Sequence, residues 1–175
     1  ARDVLGAMHV EFDTWSSEAA ITETGAPEAV LAELRARGHV YEADGAVWLR
    51  STTFGDDKDR PLVKSDGEYT YTLPDIAYHL DKYRRGDHLI DILGSDHHGY
   101  YPRMRAALQA MGEDPDTYEV IIGQNVKLLR DGQELKLSKR AGTIVEISDL
   151  IDAVDPDVAR FAYPLQPLDP AQTTD

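Results

Sequence analysis

The chain has 175 residues, 18 Lys+Arg against 32 Asp+Glu, a formal net charge of −14 and no cysteine. With 42% apolar and 29% charged residues it has enough apolar content for a core and is not a disordered chain. The lack of thiols excludes disulfide scaffolds and thiolate metal sites, no run approaches the ~18 apolar residues of a membrane span, and the acidic balance argues against nucleic-acid binding by the whole surface, though not by a local basic patch.

In chain order, Ala1-Arg2-Asp3-Val4 shows no signal-peptide core. The start without Met and the polar end Gln172-Thr173-Thr174-Asp175 read as a piece of something larger. Val10–Trp15 looks strand-like. Pro27 opens a helix with Val30, Leu31 and Leu34 on its apolar face, and Gly38 stops it. Asp44-Gly45 and Asp66-Gly67 each predict a hairpin, with the charged loop Gly55–Arg60 between them. The pattern then alternates: a helix over 74–85, a buried strand over 88–93 and a helix to Met111. A strand over 118–122, a hairpin about Asp131-Gly132 and a short strand over 144–147 follow. Last come a helix capped by Ser148 and one from Pro156 to Tyr163. Strand–helix–strand order implies an α/β fold with a parallel sheet and right-handed crossovers. The division expected is 1–65, a small α+β segment; 66–163, an α/β half-sheet; and 164–175, a polar tail.

Three places carry residues suited to chemistry. Gly94-Ser95-Asp96-His97-His98-Gly99 follows a predicted strand and opens a helix, where ligands of open α/β sheets bind and backbone N–H groups favour an anion. A capped polar loop, or a metal site on Asp96, His97 and His98 serving a hydrolase, are the competing readings. Lys136-Leu137-Ser138-Lys139-Arg140-Ala141-Gly142 places three cations and a hydroxyl on a loop. That suits charge developing on a transferring phosphoryl or nucleotidyl group, against the plainer reading of a solvated basic turn. Glu18, Tyr71 and Asp75 form the third set: two converging carboxylates would hold a planar cation bidentately, while Asp75 alone also suits the first turn of a helix. Asp56, Asp57 and Asp59 read as a solvated loop rather than a cation site, since Lys58 and Arg60 interleave. Tyr78, His79 and Tyr83 read as packing residues, and His9, His39 and His88 have no evident partner.

Together these residues resemble the arginyl-tRNA synthetases, class I aminoacyl-tRNA synthetases. Lys136-Leu137-Ser138-Lys139-Arg140 is similar to that class's Lys-Met-Ser-Lys-Ser loop. Phe12–Glu18, Phe54–Arg60, Lys64–Gly67, Asp75–His79 and Gly94–Gly99 resemble stretches typical of the arginine family. The likeness runs over residues 8–163. It implies a Rossmann-like nucleotide fold, with 1–65 the inserted segment and 66–163 the second half of the catalytic fold. It implies arginine activation by ATP with Mg²⁺ and transfer to tRNA, in the cytoplasm. Mg²⁺ is then held mainly by the phosphates, with no protein-bound metal and no membrane. It gives Lys136 and Lys139 catalytic roles. ATP falls to Gly94, Asp96, His97, Gln124, Val126, Lys136, Ser138 and Lys139, and arginine to Glu18, Tyr71, Asp75 and His97. The class's His-Ile-Gly-His motif has no counterpart, so the chain is expected not to aminoacylate alone, and to self-associate through exposed sheet or interface. The alternative is an arginine or adenine-nucleotide binding or interaction module without catalysis.

Overall fold

The computed structural model describes residues 2–97, 99–124, 127–130, 133–134, 146–162 and 173–174. They divide into two compact units, Ser16–Ile122, and Ala1–Trp15 with Gly123–Asp175.

The Ser16–Ile122 unit begins with helices α2 (Glu18–Glu23) and α3 (Ala26–Ala36); α1 (Arg2–Ala7) belongs to the other unit. The Ser17 hydroxyl caps α2 by accepting from the Ala20 N–H at 3.4 Å, and so places Glu18 in the first turn. In α3, Pro27 stands in the first turn, Val30 and Leu34 are buried, and Gly38 follows the end at φ +75°. The Asp44-Gly45 hairpin forms as expected, joining β1 (Val40–Ala43) to β2 (Ala46–Leu49). Both turn residues have positive φ, +53° and +74°, as a two-residue type I′ connection requires. Strand β3 (Arg60–Val63) completes this antiparallel sheet in the order β1-β2-β3, and Pro61 is tolerated because β3 is an edge strand. At Asp66-Gly67 the return is narrower than expected: one bridge, Val63 to Tyr69, and Lys64 N–H to Glu68 O at 2.8 Å.

Helix α4 (Thr72–Tyr83) leads into β4 (Leu89–Gly94), then α5 (Tyr100–Met111) and β5 (Tyr118–Gly123). β4 and β5 are hydrogen-bonded neighbours joined through a helix, the connection a parallel pair needs. The core gathers Leu34, Leu49, Leu62, Leu73, Ile76 and Leu108 from helices and strands alike, each burial contributing about 1.5–3 kcal/mol. One expectation needs correction here. Strand β4 is buried on one face only, for Ile90 and Ile92 are 53% and 73% exposed and Ile121 on β5 is exposed as well. Residues alternate sides along a strand, and among the described residues of this unit helices cover only the Leu89–Asp91 side.

In the other unit, β6 (Lys127–Arg130) pairs with β7 (Gln133–Glu134) across two residues and, in parallel, with β8 (Thr173–Thr174). Helices α6 (Ile147–Ala153) and α7 (Pro156–Ala162) follow. One strand expectation fails here and a second is corrected at its last residue. Val10–Trp15 is not a strand; among the described residues it has no strand neighbour to pair its backbone groups, and Phe12 and Trp15 meet edge to face at 5.4 Å. Ile147 opens a helix because Asp149 accepts from the Glu146 N–H at 2.8 Å, an acidic cap from the third position. Residues 144 and 145 lie outside the described set. Ser148 sits inside this helix and donates to Glu146 at 3.3 Å. No helix among the described residues is long and apolar enough to cross a membrane.

Candidate functional site

Glu18 and Asp75 come together. With Ser16, Ile21, Pro74 and Tyr78 they line a pocket of about 250 Å³ between α2 and the first turn of α4. Two acidic side chains, one aromatic face and two apolar walls suit an organic cation with a planar head. Burial is the largest influence on Asp75 and raises its carboxyl above the ordinary value; the Glu18 charge adds to that, while the His79 charge, hydrogen bonding with Tyr100 and the Lys82 charge oppose it. Tyr71 occupies the N-cap of α4, is 85% exposed, and is not among the residues lining the pocket.

Behind the pocket is a polar network that helical periodicity did not reveal. The Asp91 carboxylate on β4 accepts from Lys82 Nζ at 2.6 Å, lies 2.7 Å from His79 Nε2, and accepts from the Tyr118 hydroxyl at 3.0 Å. His79 Nδ1 lies 2.7 Å from the Asp75 carbonyl oxygen. Burial alone would raise Asp91, but the hydrogen bonds and charges of His79 and Lys82 outweigh it and hold the carboxyl well below the usual range. Burial and the Asp91 charge push the Tyr118 phenol far up, so it stays a donor. Lys82 also lies over the Tyr78 ring, 4.4 Å from its centroid. Of the residues read as packing, Tyr78 therefore lines the pocket and His79 is buried with hydrogen-bonding partners on both ring nitrogens. Tyr100 and Asp91 carried no sequence signal beyond lying near a strand end or within a strand.

The Gly94–Gly99 segment follows β4 as expected. Asp96 and His97 form a short 3₁₀ turn with Ser95, and are exposed with 3.6 Å between Asp96 Oδ1 and His97 Nε2. A Cβ on Gly94 would stand 2.9 Å from Asp96 Oδ1, so glycine permits this fold-back. His97 meets the Tyr100 ring edge-on at 6.5 Å, and Tyr100 in turn lies 6.3 Å from the His79 ring. The segment is thus linked to the pocket through Tyr100. His98 lies outside the described residues, and among the described residues no three His, Asp or Glu side chains gather as metal ligands. Gln124, half-buried, belongs to the other unit. Val126, Lys136, Ser138 and Lys139 lie outside the described residues.

The Gly55–Arg60 loop is not simply solvated. Asp56 is buried and takes Arg60 bidentately, with both N···O distances 2.7 Å, and exposed Asp57 reaches the same guanidinium. Burial pushes the Asp56 carboxyl up, but Arg60 and the Asp57 N–H outweigh it and hold it at about 2. Asp59 accepts from the Thr52 N–H and hydroxyl at 3.1 and 2.8 Å. Interleaved cations made this stretch look solvated; the cation is in fact the partner that lets one acid go inside. His88 and His9, which had no evident partner, meet Glu119 at 2.9 Å and Asp157 at 3.2 Å, and His39 packs edge-on against Phe54.

This arrangement, a helix-linked strand pair with the Gly94–Gly99 segment at the carboxyl end of β4, is that of a class I tRNA synthetase catalytic domain, and residues 8–160 match the family described as tRNA synthetases class I (R), catalytic domain. The chain belongs to the arginyl-tRNA synthetase family. It is 53% identical over 163 residues to the arginine–tRNA ligase of Shouchella clausii, covering 93% of this chain and 29% of that protein. To the Bacillus subtilis arginine–tRNA ligase it is 52% identical over 169 residues, 96% of this chain and 30% of the other. The Campylobacter jejuni arginyl-tRNA synthetase structure superposes with a TM-score of 0.89 at 36% identity, over 98% of this chain and 37% of that one. The Thermus thermophilus arginyl-tRNA synthetase gives 0.70 at 18% identity over 93% of this chain and 32% of that one, a likeness of fold alone. The chain spans about three tenths of the length of the curated relatives it matches.

Proposed function

We propose that this chain supplies the arginine pocket and the second nucleotide-contacting half of an arginine–tRNA ligase active site. The observation that carries the reading is the convergence of Glu18 and Asp75 on one pocket. Two carboxylates facing a fork of N–H donors give charge and shape selection at once. In this reading residues 1–65 are the inserted segment and 66–163 the second half of the catalytic fold. Tyr71 flanks the arginine. Gly94, Asp96 and His97 meet the substrate's amino end and the adenylate, and Gln124 and Val126 meet adenine. Lys136, Ser138 and Lys139 meet the phosphates of ATP, which brings its own Mg²⁺. The two lysines act where charge develops in the activation transition state. The setting is cytoplasmic, and tRNA binds through the longer protein. The chain alone does not aminoacylate, because the class's His-Ile-Gly-His motif is not in it and preorganised charge is most of the catalytic effect.

An amide NMR titration with arginine, and with citrulline as its neutral isostere, tests the pocket. Arginine-selective shifts at Ser16, Glu18, Ile21, Asp75 and Tyr78 are expected. Equal shifts with both ligands, or shifts elsewhere only, would refute the assignment.

A further inference from the structure

His79 is almost fully buried, yet both ring nitrogens meet oxygens that only accept. Nδ1 lies 2.7 Å from the Asp75 carbonyl and Nε2 2.7 Å from Asp91 Oδ2. A neutral imidazole has one N–H and would turn a lone pair on one of these oxygens. The doubly protonated ring satisfies both, and the Asp91 carboxylate supplies its counter-charge. The ring meets Tyr78, one wall of the pocket, edge-on at 5.8 Å between centroids. It also grips the backbone of Asp75, whose side chain is an acidic wall of the pocket, and ties that turn of α4 to strand β4. We propose that His79, donating from both ring nitrogens to the Asp75 carbonyl and to Asp91, is the positioning residue of Asp75, fixing the carboxylate beside Glu18 so that the pair can take a planar organic cation.

The inference rests on the arginine reading of the pocket for its ligand, but not for its geometry. The groups facing His79 are Asp75, Tyr78 and Lys82 on its own helix, Asp91 on β4, Tyr118 on β5 and Tyr100 on α5. Lys82 stands 3.5 Å from Nε2 and shares Asp91, so one carboxylate balances two cations. The charges felt by Asp75 are those of His79, Lys82 and Glu18. Without the imidazolium, desolvation and Glu18 act on Asp75 opposed mainly by Lys82 and Tyr100, and its proton is held more tightly. A cation in the pocket then meets one ionised carboxylate over a wider pH range.

The test reads the His79 ring by long-range ¹H–¹⁵N correlation, the Asp75 carboxyl by ¹³C titration, and arginine affinity by calorimetry. In the unaltered chain both His79 nitrogens should show bound protons, as the two hydrogen bonds require. His79→Gln should move the Asp75 titration upward and weaken arginine about tenfold, the loss of one charge-assisted contact. Asp91→Asn should leave the His79 ring with a single proton. His88→Gln, on an exposed ring, should change none of these. A neutral His79 ring in the unaltered chain overturns the proposal. So does a His79→Gln chain that melts earlier while Asp75 titrates, and arginine binds, as before. Should that variant not fold, the ring spectrum of the unaltered chain and of Asp91→Asn decides alone. If arginine binds no better than citrulline while His79→Gln still moves Asp75, the arginine reading fails and the coupling stands.

Discussion

Two acidic regions of the Ser16–Ile122 unit are built from the same side-chain chemistry and end in opposite states. In the Gly55–Arg60 loop the chain provides its own cation: Arg60 closes on Asp56 at 2.7 Å and the charge is spent internally. At the pocket, Asp75 faces Glu18 across open space, with its nearest cations, His79 and Lys82, behind it and already engaged by Asp91. The carboxyl protons record the difference. Asp56 is held at about 2, whereas burial and a like charge leave Asp75 raised. A buried acid that has its cation stabilises the fold; a half-buried one with no cation lining its cavity among the described residues is arranged for a cation from outside.

Removing Arg60 should give the largest effect. Arg60→Met leaves Asp56 buried and uncompensated, so urea denaturation should show a loss of about 3–5 kcal/mol. Glu18→Gln should change stability by less than about 0.5 kcal/mol while abolishing arginine selectivity over citrulline. If Glu18→Gln unfolded the chain and Arg60→Met did not, the roles assigned to the two regions would be reversed. Next, Asp75→Asn should weaken arginine about tenfold to a hundredfold by calorimetry, the range of a charge-assisted hydrogen bond, with no loss of melting temperature.

Acid should separate the regions by sign. A carboxyl whose folded value lies below its unfolded value stabilises the fold above the unfolded value and loses that contribution as pH falls. Asp56 therefore contributes fully at pH above the ordinary 3.8, and its share is lost on the way down to about 2. Asp91 behaves likewise in direction. Asp75 runs the other way: its raised value means the folded state binds that proton more tightly, so acidification protonates it before an ordinary carboxyl and does not cost stability. Arginine affinity should thus fall at a pH where melting temperature is still unchanged. Coincident loss of both on one acid titration would show that pocket and fold are not separable. The smallest effect is expected at Gly94→Ala. The added methyl must displace Asp96 at a cost of about 1 kcal/mol or less, visible as a changed Asp96 signal with the rest of the spectrum intact.

The parts of the fold set by local chemistry were legible in advance. Asp44-Gly45 demanded a hairpin because two successive positive φ values suit few other dipeptides, and Pro27 with Gly38 bracketed α3. Of the candidate site, Gly94 stands at the end of a strand as expected, while Glu18 and Asp75 were singled out as a pair whose meeting in one pocket no sequence spacing could show. Contacts between elements were not legible. Nothing in a 3.6-residue period distinguishes a histidine that packs from one whose ring bonds a residue twelve positions on. Asp91 in a strand of Leu and Ile gives no hint that it faces Lys82 and Tyr118. The Val10–Trp15 and Ile147 errors share a cause: alternation over a few residues says what a strand would bury, not whether a neighbouring strand exists to pair with it.

The isoleucines at 90, 92 and 121 have a colloidal consequence. At low ionic strength a net charge of −14 keeps copies of the chain apart over a screening length of about 30 Å at 0.01 M salt, which shrinks to about 3 Å at 1 M. Sulfate also strengthens apolar association by its exclusion from the surface. Salt therefore withdraws the repulsion and sharpens the attraction of these exposed isoleucines together. The chain should salt out steeply, and Ile92→Lys, which places a charge at the most exposed of the three, should raise the sulfate concentration at which it does so.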